Sequence, residues 1–410
     1  MQVTGSGFAS ISAGRWYTCA LLQSGTAQCW GDNEHGQLGN GSFTEPETPT
    51  AVQGGLVFRA LVTGMRTTCA LTQAGAVYCW GGRGIGELGD GTTAFKLTPT
   101  RVPGATFSSI ETNIYFSCGL SSGAVRCWGL NDYGQLGNGT TTNAVTPTVI
   151  TGVGTLNAEV TVGSSHACVR TNAGALHCWG NNTSGQLGDG ASTNRTTPVL
   201  VTGGQTYRSV SAGSGHTCAV NTAGQIFCWG SNSSGQLGTG NTTGRNVPTA
   251  VAGVAGITFA EVVAANFHTC ARSTAGAVYC WGLNDNYQIG DGTLTTRTLP
   301  VLINVGTTVA SVTANRTQTC ARASNGSAYC WGTNNLGELG TGVPVQGVEP
   351  RPRAVLGGLT FASLCAGASI TCGVTTSGAG YVEWPVQAGR AGPTALSETR
   401  DTVAQQRVIQ

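Results

Sequence analysis

An all-β fold, a seven-bladed β-propeller of four-stranded blades, is what this 410-residue sequence predicts, on three observations. First, two cysteines ten residues apart, the second followed by Trp-Gly, recur about every fifty residues: Cys19/Cys29, Cys69/Cys79, Cys118/Cys127, Cys168/Cys178, Cys218/Cys228, Cys270/Cys280 and Cys320/Cys330. A period of this length marks a stacked repeat. Second, each period holds four short β-type runs separated by Gly, Asn, Asp and Pro turns, with no helical spacing of apolar residues. Third, such a unit cannot bury both of its faces alone, so units must stack on one another, and seven of them suit a closed ring.

Each unit carries the same elements in order. The first run is apolar, as in Phe8-Ala9-Ser10-Ile11, Phe58 to Val62, Phe107 to Ile110, Tyr207 to Val210 and Phe259 to Val263. A short variable loop leads to a second run that bears the first cysteine. A turn then places Gly at one position in every unit: Gly25, Gly75, Gly123, Gly174, Gly224, Gly276 and Gly326. The third run ends in Cys-Trp-Gly. A glycine-rich loop follows, reading Gly-Gln-Leu-Gly at 36–39, 134–137, 185–188 and 235–238, with variants at 86–89, 287–290 and 337–340. Proline then introduces the fourth run, at Pro49, Pro99, Pro147, Pro198, Pro248, Pro300 and Pro350.

Unit three tests the register. Its cysteines, Cys118 and Cys127, are nine apart. Setting the cysteines opposite each other leaves a three-residue loop elsewhere, such as Gln73-Ala74-Gly75, but only Ser122-Gly123 here. Both lengths are favoured hairpin turns. A deletion inside a strand would have turned one cysteine to the other face. Opposed residues on antiparallel strands have Cα atoms ~4.5–5.5 Å apart, within disulfide reach. Seven intra-blade disulfides are therefore expected, each closing a loop worth at most ~2.7 kcal/mol. Reduced cysteines serving as small buried hydrophobes are the alternative. Metal binding is weaker, because no Cys-x-x-Cys occurs and five histidines cannot serve seven sites.

The stretches Val77-Tyr78-Cys79-Trp80-Gly81 and Asn131-Asp132-Tyr133-Gly134-Gln135-Leu136-Gly137 resemble the regulator of chromosome condensation repeat. The resemblance covers roughly residues 6–376, in seven and a half units; kelch repeats share the period but use a different Gly-Gly and Tyr/Trp pattern. It implies a seven-bladed propeller, and it leaves function open. Members of that family include nuclear exchange factors for a small GTPase, a plant ultraviolet-B photoreceptor and a secreted bacterial inhibitor of β-lactamases. The photoreceptor pattern Gly-Trp-Arg-His-Thr is absent. The corresponding stretches are Gly14-Arg15-Trp16-Tyr17, Gly64-Met65-Arg66-Thr67, Asn113-Ile114-Tyr115-Phe116 and Gly213-Ser214-Gly215-His216. A reducing nuclear compartment conflicts with seven disulfides. The chain is most similar to cysteine-containing bacterial versions of the repeat, which implies export to the extracellular space or cell surface.

Composition sets the remaining bounds. Charged residues are 9% and net charge is +2, with Lys96 the single lysine, so no nucleic-acid stripe is present. No apolar run has membrane-spanning length. No signal peptide precedes the first run, so export implies a leader outside this sequence. The sequons at Asn40, Asn138 and Asn325 are explained as Asn-Gly turns. Phe361-Ala362-Ser363-Leu364 and Cys372 begin an eighth unit that has Val382 where the second cysteine belongs. The propeller is read as residues 1–388, with a degenerate half-repeat at 359–388 and a disordered tail at 389–410. Cys365 and Cys372 pair with each other or stay free. If each blade takes its fourth strand from the preceding unit, the run after Pro350 completes the first blade as a velcro closure. Strands 360–376 are then surplus; an open or eight-bladed ring is the alternative.

Strand alternation puts the loop between runs one and two on the same face as the long loop between runs three and four. These segments differ most between units, which is where a repeat protein places specificity. The candidate binding face holds Trp16, Tyr17, His35, Met65, Arg66, Arg83, Ile114, Tyr115, Phe116 and Tyr133, with Ile85 beside them; aromatics and Arg are the residue types of hot spots. Some of them could instead cap the core. The seven Cys-Trp-Gly tryptophans, Trp30, Trp80, Trp128, Trp179, Trp229, Trp281 and Trp331, are expected to pack between blades. Asn33, Asn131, Asn182, Asn232, Asn284 and Asn334 are expected to hydrogen-bond the glycine-rich loop. His166, His216 and His268 share one repeat position, which Thr67, Phe116 and Gln318 fill elsewhere, so a metal site there is a minor reading. Acidic residues are scattered, many in Asp-Gly turns (Asp90, Asp189, Asp291), and no catalytic set or nucleotide loop stands out. The function expected is a non-enzymatic protein-binding module of the inhibitor or surface-interaction type: a monomer with an unidentified protein partner and no cofactor, metal, nucleic acid or membrane span. Glycan or cell-wall polymer binding by the same face is the alternative, with exchange-factor-like or lyase activity behind it.

Overall fold

The computed structural model describes residues 7–342, 347–367 and 370–383. Each fifty-residue unit folds into one antiparallel sheet whose four strands lie in sequence order. Blade 1 is built from Phe8–Ala13, Tyr17–Leu22, Ala27–Gly31 and Thr50–Ala51. Six further four-stranded sheets follow the same order, through Val309–Ala314, Gln318–Ala323, Ala328–Asn334 and Gly347–Ala354 of blade 7. The first strands of successive blades lie against one another around the ring axis.

Two expectations about closure are corrected. The ring has eight blades: Phe361–Ala366, Thr371–Thr375 and Gly380–Glu383 form a three-stranded eighth sheet between blades 7 and 1. The run after Pro350 does not complete blade 1; it pairs with its own unit, Gly332 opposite Glu349 and Cys330 opposite Arg353. Each of the first seven units therefore keeps its own fourth strand, and the ring closes by packing of blade 8 on blade 1. The Phe8 amide donates to the Gly378 carbonyl at 2.8 Å, just as Phe58 donates to Gly25 and Tyr207 to Gly174. Phe8, Ala13, Ala20 and Trp30 of blade 1 share a buried cluster with Cys365, Ile370, Cys372 and Val374 of blade 8. The physical reason is that inter-blade contacts are made chiefly by the first two strands, and the eighth unit has both. The tail expected at 389–410 and the end of the 1–388 domain lie outside the described residues.

The register follows the cysteines. Cys69 stands opposite Cys79, and Cys118 opposite Cys127 in spite of its shorter spacing. The missing residue is in the turn, where Ser122 and Gly123 both have positive φ (51° and 75°), the signature of a two-residue type I′ hairpin. All seven expected pairs are disulfides: Cys19–Cys29, Cys69–Cys79, Cys118–Cys127, Cys168–Cys178, Cys218–Cys228, Cys270–Cys280 and Cys320–Cys330. Cys365 and Cys372 form an eighth, across the first and second strands of blade 8.

Two details of the seven pairs differ from expectation. Their Cα atoms are 4.1 Å apart, closer than the ~4.5–5.5 Å of unlinked facing residues, because the bond draws the two strands together. The regular register also ends at the second cysteine on the side of the fourth strand. Cys178 faces Val199 but Gly180 faces Arg195; Cys228 and Gly230 face Thr249 and Arg245, and Cys280 and Gly282 face Val301 and Arg297. In blade 1 the ladder stops with Cys29 opposite Thr50. The pairing thus slips at the tryptophan that follows the cysteine. Simple alternation in the sequence carries no mark of such an irregularity.

The tryptophans pack between blades. Trp80 of blade 2 lies with Leu38, Phe58, Leu61 and Ala70, flanked by Val52 and Tyr78. The indoles of Trp128, Trp179, Trp229, Trp281 and Trp331 donate to loop carbonyls of the preceding blade at 2.8–3.0 Å. This contact explains the last glycine of Gly-Gln-Leu-Gly: a Cβ on Gly188 would stand 2.8 Å from Trp229 Nε1.

Candidate functional site

The face is built on loops that the repeat makes rigid. In blade 3, Asn131 Nδ2 donates to the carbonyls of Thr140 and Thr142 at 2.9 and 3.0 Å, while its Oδ1 accepts the Leu136 amide at 2.9 Å. Asn33, Asn182, Asn232 and Asn284 make the same set, as expected. Asn334 keeps the contact to the Leu339 amide. Blade 2 breaks the pattern, with Arg83 in the place of the Asn. Its loop is tied by the Glu87 carboxylate, which accepts the amides of Arg83 and, at 2.9 Å, Ile85. The Arg83 side chain is thereby released from stapling the loop.

The tips between first and second strands are pinned to those loops. The carbonyls of Trp16, Arg66 and Tyr115 accept the amides of Asp32, Gly82 and Leu130 at 2.8–2.9 Å. Of the ten predicted face residues, four are buried. Tyr17 is 0% exposed, its hydroxyl donating to the Thr67 carbonyl at 2.7 Å and accepting from Thr68. Phe116 is also 0% exposed, and Met65 and Ile114 pack on each other between blades 2 and 3. These four cap the core and offer no surface: Met65 and Ile114 at the tips, and Tyr17 and Phe116 at the starts of second strands, turn inward.

The other six, Trp16, His35, Arg66, Arg83, Tyr115 and Tyr133, are half-buried at the surface. Arg15, missed in the sequence, lies over the Trp16 ring at 4.1 Å. Arg83 lies over Tyr115 at 5.3 Å, and its Nη1 donates to the Tyr115 hydroxyl at 3.2 Å. Arg66 sits within electrostatic reach of both arginines: burial, then the charges of Arg83 and Arg15, hold its guanidinium below the ordinary range. Its side chain has no hydrogen-bond or ion-pair partner among the described residues. Burial and the Arg66 charge likewise depress the His35 imidazole, so it is neutral at pH 7. Asp32, Glu34 and Glu45 have ligand oxygens within 4.8 Å of one another, and the charges of Asp32 and Glu34 partly offset those around Arg66. Phe43 and Phe95, also missed, form an edge-on pair 5.6 Å apart on the long loops of blades 1 and 2, each about half exposed. A Phe in a Ser/Thr-rich loop was the signal that could have found them.

The three histidines have a structural use. Nε2 of His166, His216 and His268 lies 2.9–3.0 Å from the hydroxyls of Thr217, Thr269 and Thr319 in the next blade. Each threonine gives its own proton to a loop carbonyl, of Gln186, Gln236 and Gln288, so the histidine is the donor and its proton is on Nε2. Burial pushes His166 down to about 4, and His216 and His268 to about 3. The Asp-Gly acids are used structurally too: Asp189 and Asp291 bind Arg195 and Arg297 at 2.7 and 2.6 Å.

Fold and site together define a disulfide-stapled repeat propeller with an arginine-and-aromatic face on three neighbouring blades. The sequence matches the RCC1-like domain over residues 1–260 and the regulator of chromosome condensation (RCC1) repeat over residues 275–322 and 259–288. The chain belongs to the RCC1-like domain family. It is similar over 44 residues, at 46% identity, to the E3 ubiquitin-protein ligase HERC2 of Homo sapiens and of Mus musculus; that stretch is 11% of this chain and spans 1% of those proteins. Among solved structures, yeast RCC1 (Prp20) bound to Kap60 aligns with a TM-score of 0.70 at 20% identity, over 92% of this chain and 91% of that one. Prp20p of Saccharomyces cerevisiae, described with its binding to Gsp1p and histones, gives 0.68 at 19% over 95% and 94%. Human WBSCR16 gives 0.66 at 21% over 77% and 86%. At these identities the likeness shows the fold. No helix among the described residues is long and apolar enough to cross a membrane.

Proposed function

We propose that the protein is an exported, non-enzymatic protein-binding module whose partner lies across the tips of blades 1–3. One observation carries the reading. At equivalent tip positions, blades 1–3 have Arg15-Trp16, Met65-Arg66 and Ile114-Tyr115, blades 4 and 5 have Ser164-Ser165 and Ser214-Gly215, and blades 6 and 7 have Asn266-Phe267 and Arg316-Thr317. Large, pre-ordered aromatics and arginines on three consecutive blades are the make-up of a hot spot. Export is supported by eight disulfides, which persist in oxidising surroundings. The protein-binding class is supported by the relatives whose solved structures concern bound proteins.

The chemistry of the face favours a partner surface that presents carboxylates. Arg66 is half-buried between two other cations and has planar N–H groups to give, which suit bidentate carboxylate recognition. Sugar stacking on Trp16 is disfavoured because the Arg15 guanidinium already covers that ring. The test is affinity capture from the medium of the native source with wild type and a W16A/R66A/Y115A variant. The variant is expected to lose the captured protein, a hot-spot loss of ~2 kcal/mol or about 30-fold, with its melting temperature unchanged. Equal capture by both proteins, or retention of both on a polysaccharide column, overturns the reading.

A further inference from the structure

The second strands of blades 4, 6 and 7 carry an arginine two residues after the first cysteine: Arg170, Arg272 and Arg322. Each stands opposite a residue of its own first strand, which is Glu159, Glu261 and Ser311 in turn. In blades 4 and 6 the facing residues form an ion pair, Nε to carboxylate at 3.1 Å. Blade 6 shows what that carboxylate does. Glu261 Oε1 accepts the Arg272 Nε–H and, at 2.9 Å, the Val312 amide of the next blade. One oxygen thus ties an arginine to the inner edge of the neighbouring first strand.

Blade 7 has the same seat without the carboxylate. Ser311 stands where glutamate would, and its side chain is too short to reach the next blade. Arg322 Nε is buried and has no hydrogen-bond partner among the described residues, unlike its counterparts in blades 4 and 6. The amide side of the seat is kept. Phe361-Ala362-Ser363-Leu364 of blade 8 repeats Val309-Ala310-Ser311-Val312, with the ladder irregular at the same place in both. Leu364 therefore holds the position of Val312. It packs against Cys320, which shares a strand face with Arg322 two residues on. A buried cationic donor with no acceptor is costly, and the repeat shows that the acceptor it lacks is a carboxylate.

We infer that this gap between blades 7 and 8 binds a small organic acid through its carboxylate, with the Arg322 guanidinium and the Leu364 amide as donors. The ligand carboxylate takes the place that the Glu261 side chain fills one blade earlier. A single negative charge matches the single cation of the seat, and the planar guanidinium suits a carboxylate. The acid is small because the seat is recessed in the wall around the ring axis. The glutamates in the equivalent places are only 18% and 25% exposed, which admits a small molecule and excludes a folded surface. The seat is also remote from the face on blades 1–3. Arg322 is next to last in Gln318–Ala323, at the hairpin end of the strand, opposite the tips, so it does not depend on the protein-binding reading.

Saturation-transfer NMR on the methyl signal of acetate tests this at pH 7, with the full chain as wild type, R322Q, S311E and R66A. Wild type is expected to bind acetate saturably, and R322Q about tenfold or more weakly, the loss of a charge-assisted hydrogen bond. S311E gives the seat a carboxylate of its own, as Glu261 does in blade 6, and is expected to shut acetate out. R66A alters the other face and is expected to bind as wild type does. Should R322Q fail to fold, S311E carries the comparison, since it leaves Arg322 in place. Wild type without saturable binding, or S311E that binds acetate as well as wild type, would overturn the assignment.

Discussion

Blades 1–3 and blades 4–6 share one backbone design, yet their upper faces differ, most sharply between blades 1–3 and blades 4 and 5. In blades 4–6 the position two before the first cysteine is a buried histidine that donates to the next blade; the tips above are serine and glycine in blades 4 and 5, and Asn266 and Phe267 in blade 6. In blades 1–3 that position is Tyr17, Thr67 or Phe116, and the tips carry Arg15, Trp16, Arg66 and Tyr115. The inter-blade tryptophans are common to both halves, and so are the stapled loops except in blade 2, where Arg83 replaces the asparagine. Stability therefore resides in what repeats, and recognition in what does not.

The largest expected effect separates those two roles by comparing two tryptophans. Trp229 is 0% exposed, packed against Cys168, Leu187, Tyr207 and Ala219, and its indole donates to the Gln186 carbonyl. Truncation leaves a cavity and an unmatched acceptor, so W229A should cost about 3–5 kcal/mol in urea unfolding. Trp16 is half-buried under Arg15, and W16A should stay within about 1 kcal/mol of wild type while weakening the partner. If W16A destabilises as much as W229A, the face is core and the contrast between the halves fails.

The next effect is confined to the histidine half. His166, His216 and His268 are held neutral in the fold well below the ~6.5 of an unfolded histidine. A depressed histidine contributes stability that is complete above pH 6.5 and is lost as pH falls toward 4 and 3, where the unfolded chain binds protons that the fold refuses. At pH 5 the loss is at most about 2 kcal/mol for each histidine. Asp189 and Asp291, held below their ordinary values against burial by their loop and arginine bonds, act only under about pH 4. The half-buried His35 and His177 are lowered as well and add in the same direction. Urea melts at pH 7.5 and 5.0 should show a smaller drop for H216Q than for wild type; Gln318 already fills that repeat position in blade 7. An equal drop in both proteins would show that the histidines do not set acid sensitivity.

Much of this was legible in the chain because a repeat states each fact several times. The nine-residue spacing of Cys118 and Cys127 locates the hairpin turn, and with it the facing cysteines. Blade number was not legible, since the eighth unit lacks the very motif by which units are counted. Its first two strands, marked only by Phe361 and Cys372, are sufficient to close the ring. Burial at the tips was half legible. Tyr17 and Phe116 follow a tip and turn inward, Trp16 and Tyr115 immediately before them turn outward, and composition treats the four alike. Arg15 and the Phe43–Phe95 pair escaped because each is a single departure in a variable loop.

Arg83 is where the two roles meet in one residue, and its expected effect is the smallest in energy. The repeat calls for asparagine there, to staple the long loop as Asn131 and Asn182 do. Blade 2 has given up those bonds, placed Glu87 as a substitute tie, and turned the residue outward onto Tyr115. Restoring the staple with R83N should leave the protein as stable as wild type or more stable by about 1 kcal/mol, since a buried hydrogen bond contributes on that scale. The same change removes a cation from the face, so partner binding should weaken and lose part of its salt dependence. Melting and binding measured on one preparation decide it. A variant that is both less stable and unchanged in binding would mean that Arg83 belongs to the scaffold, and that the border between the two halves of the face lies elsewhere.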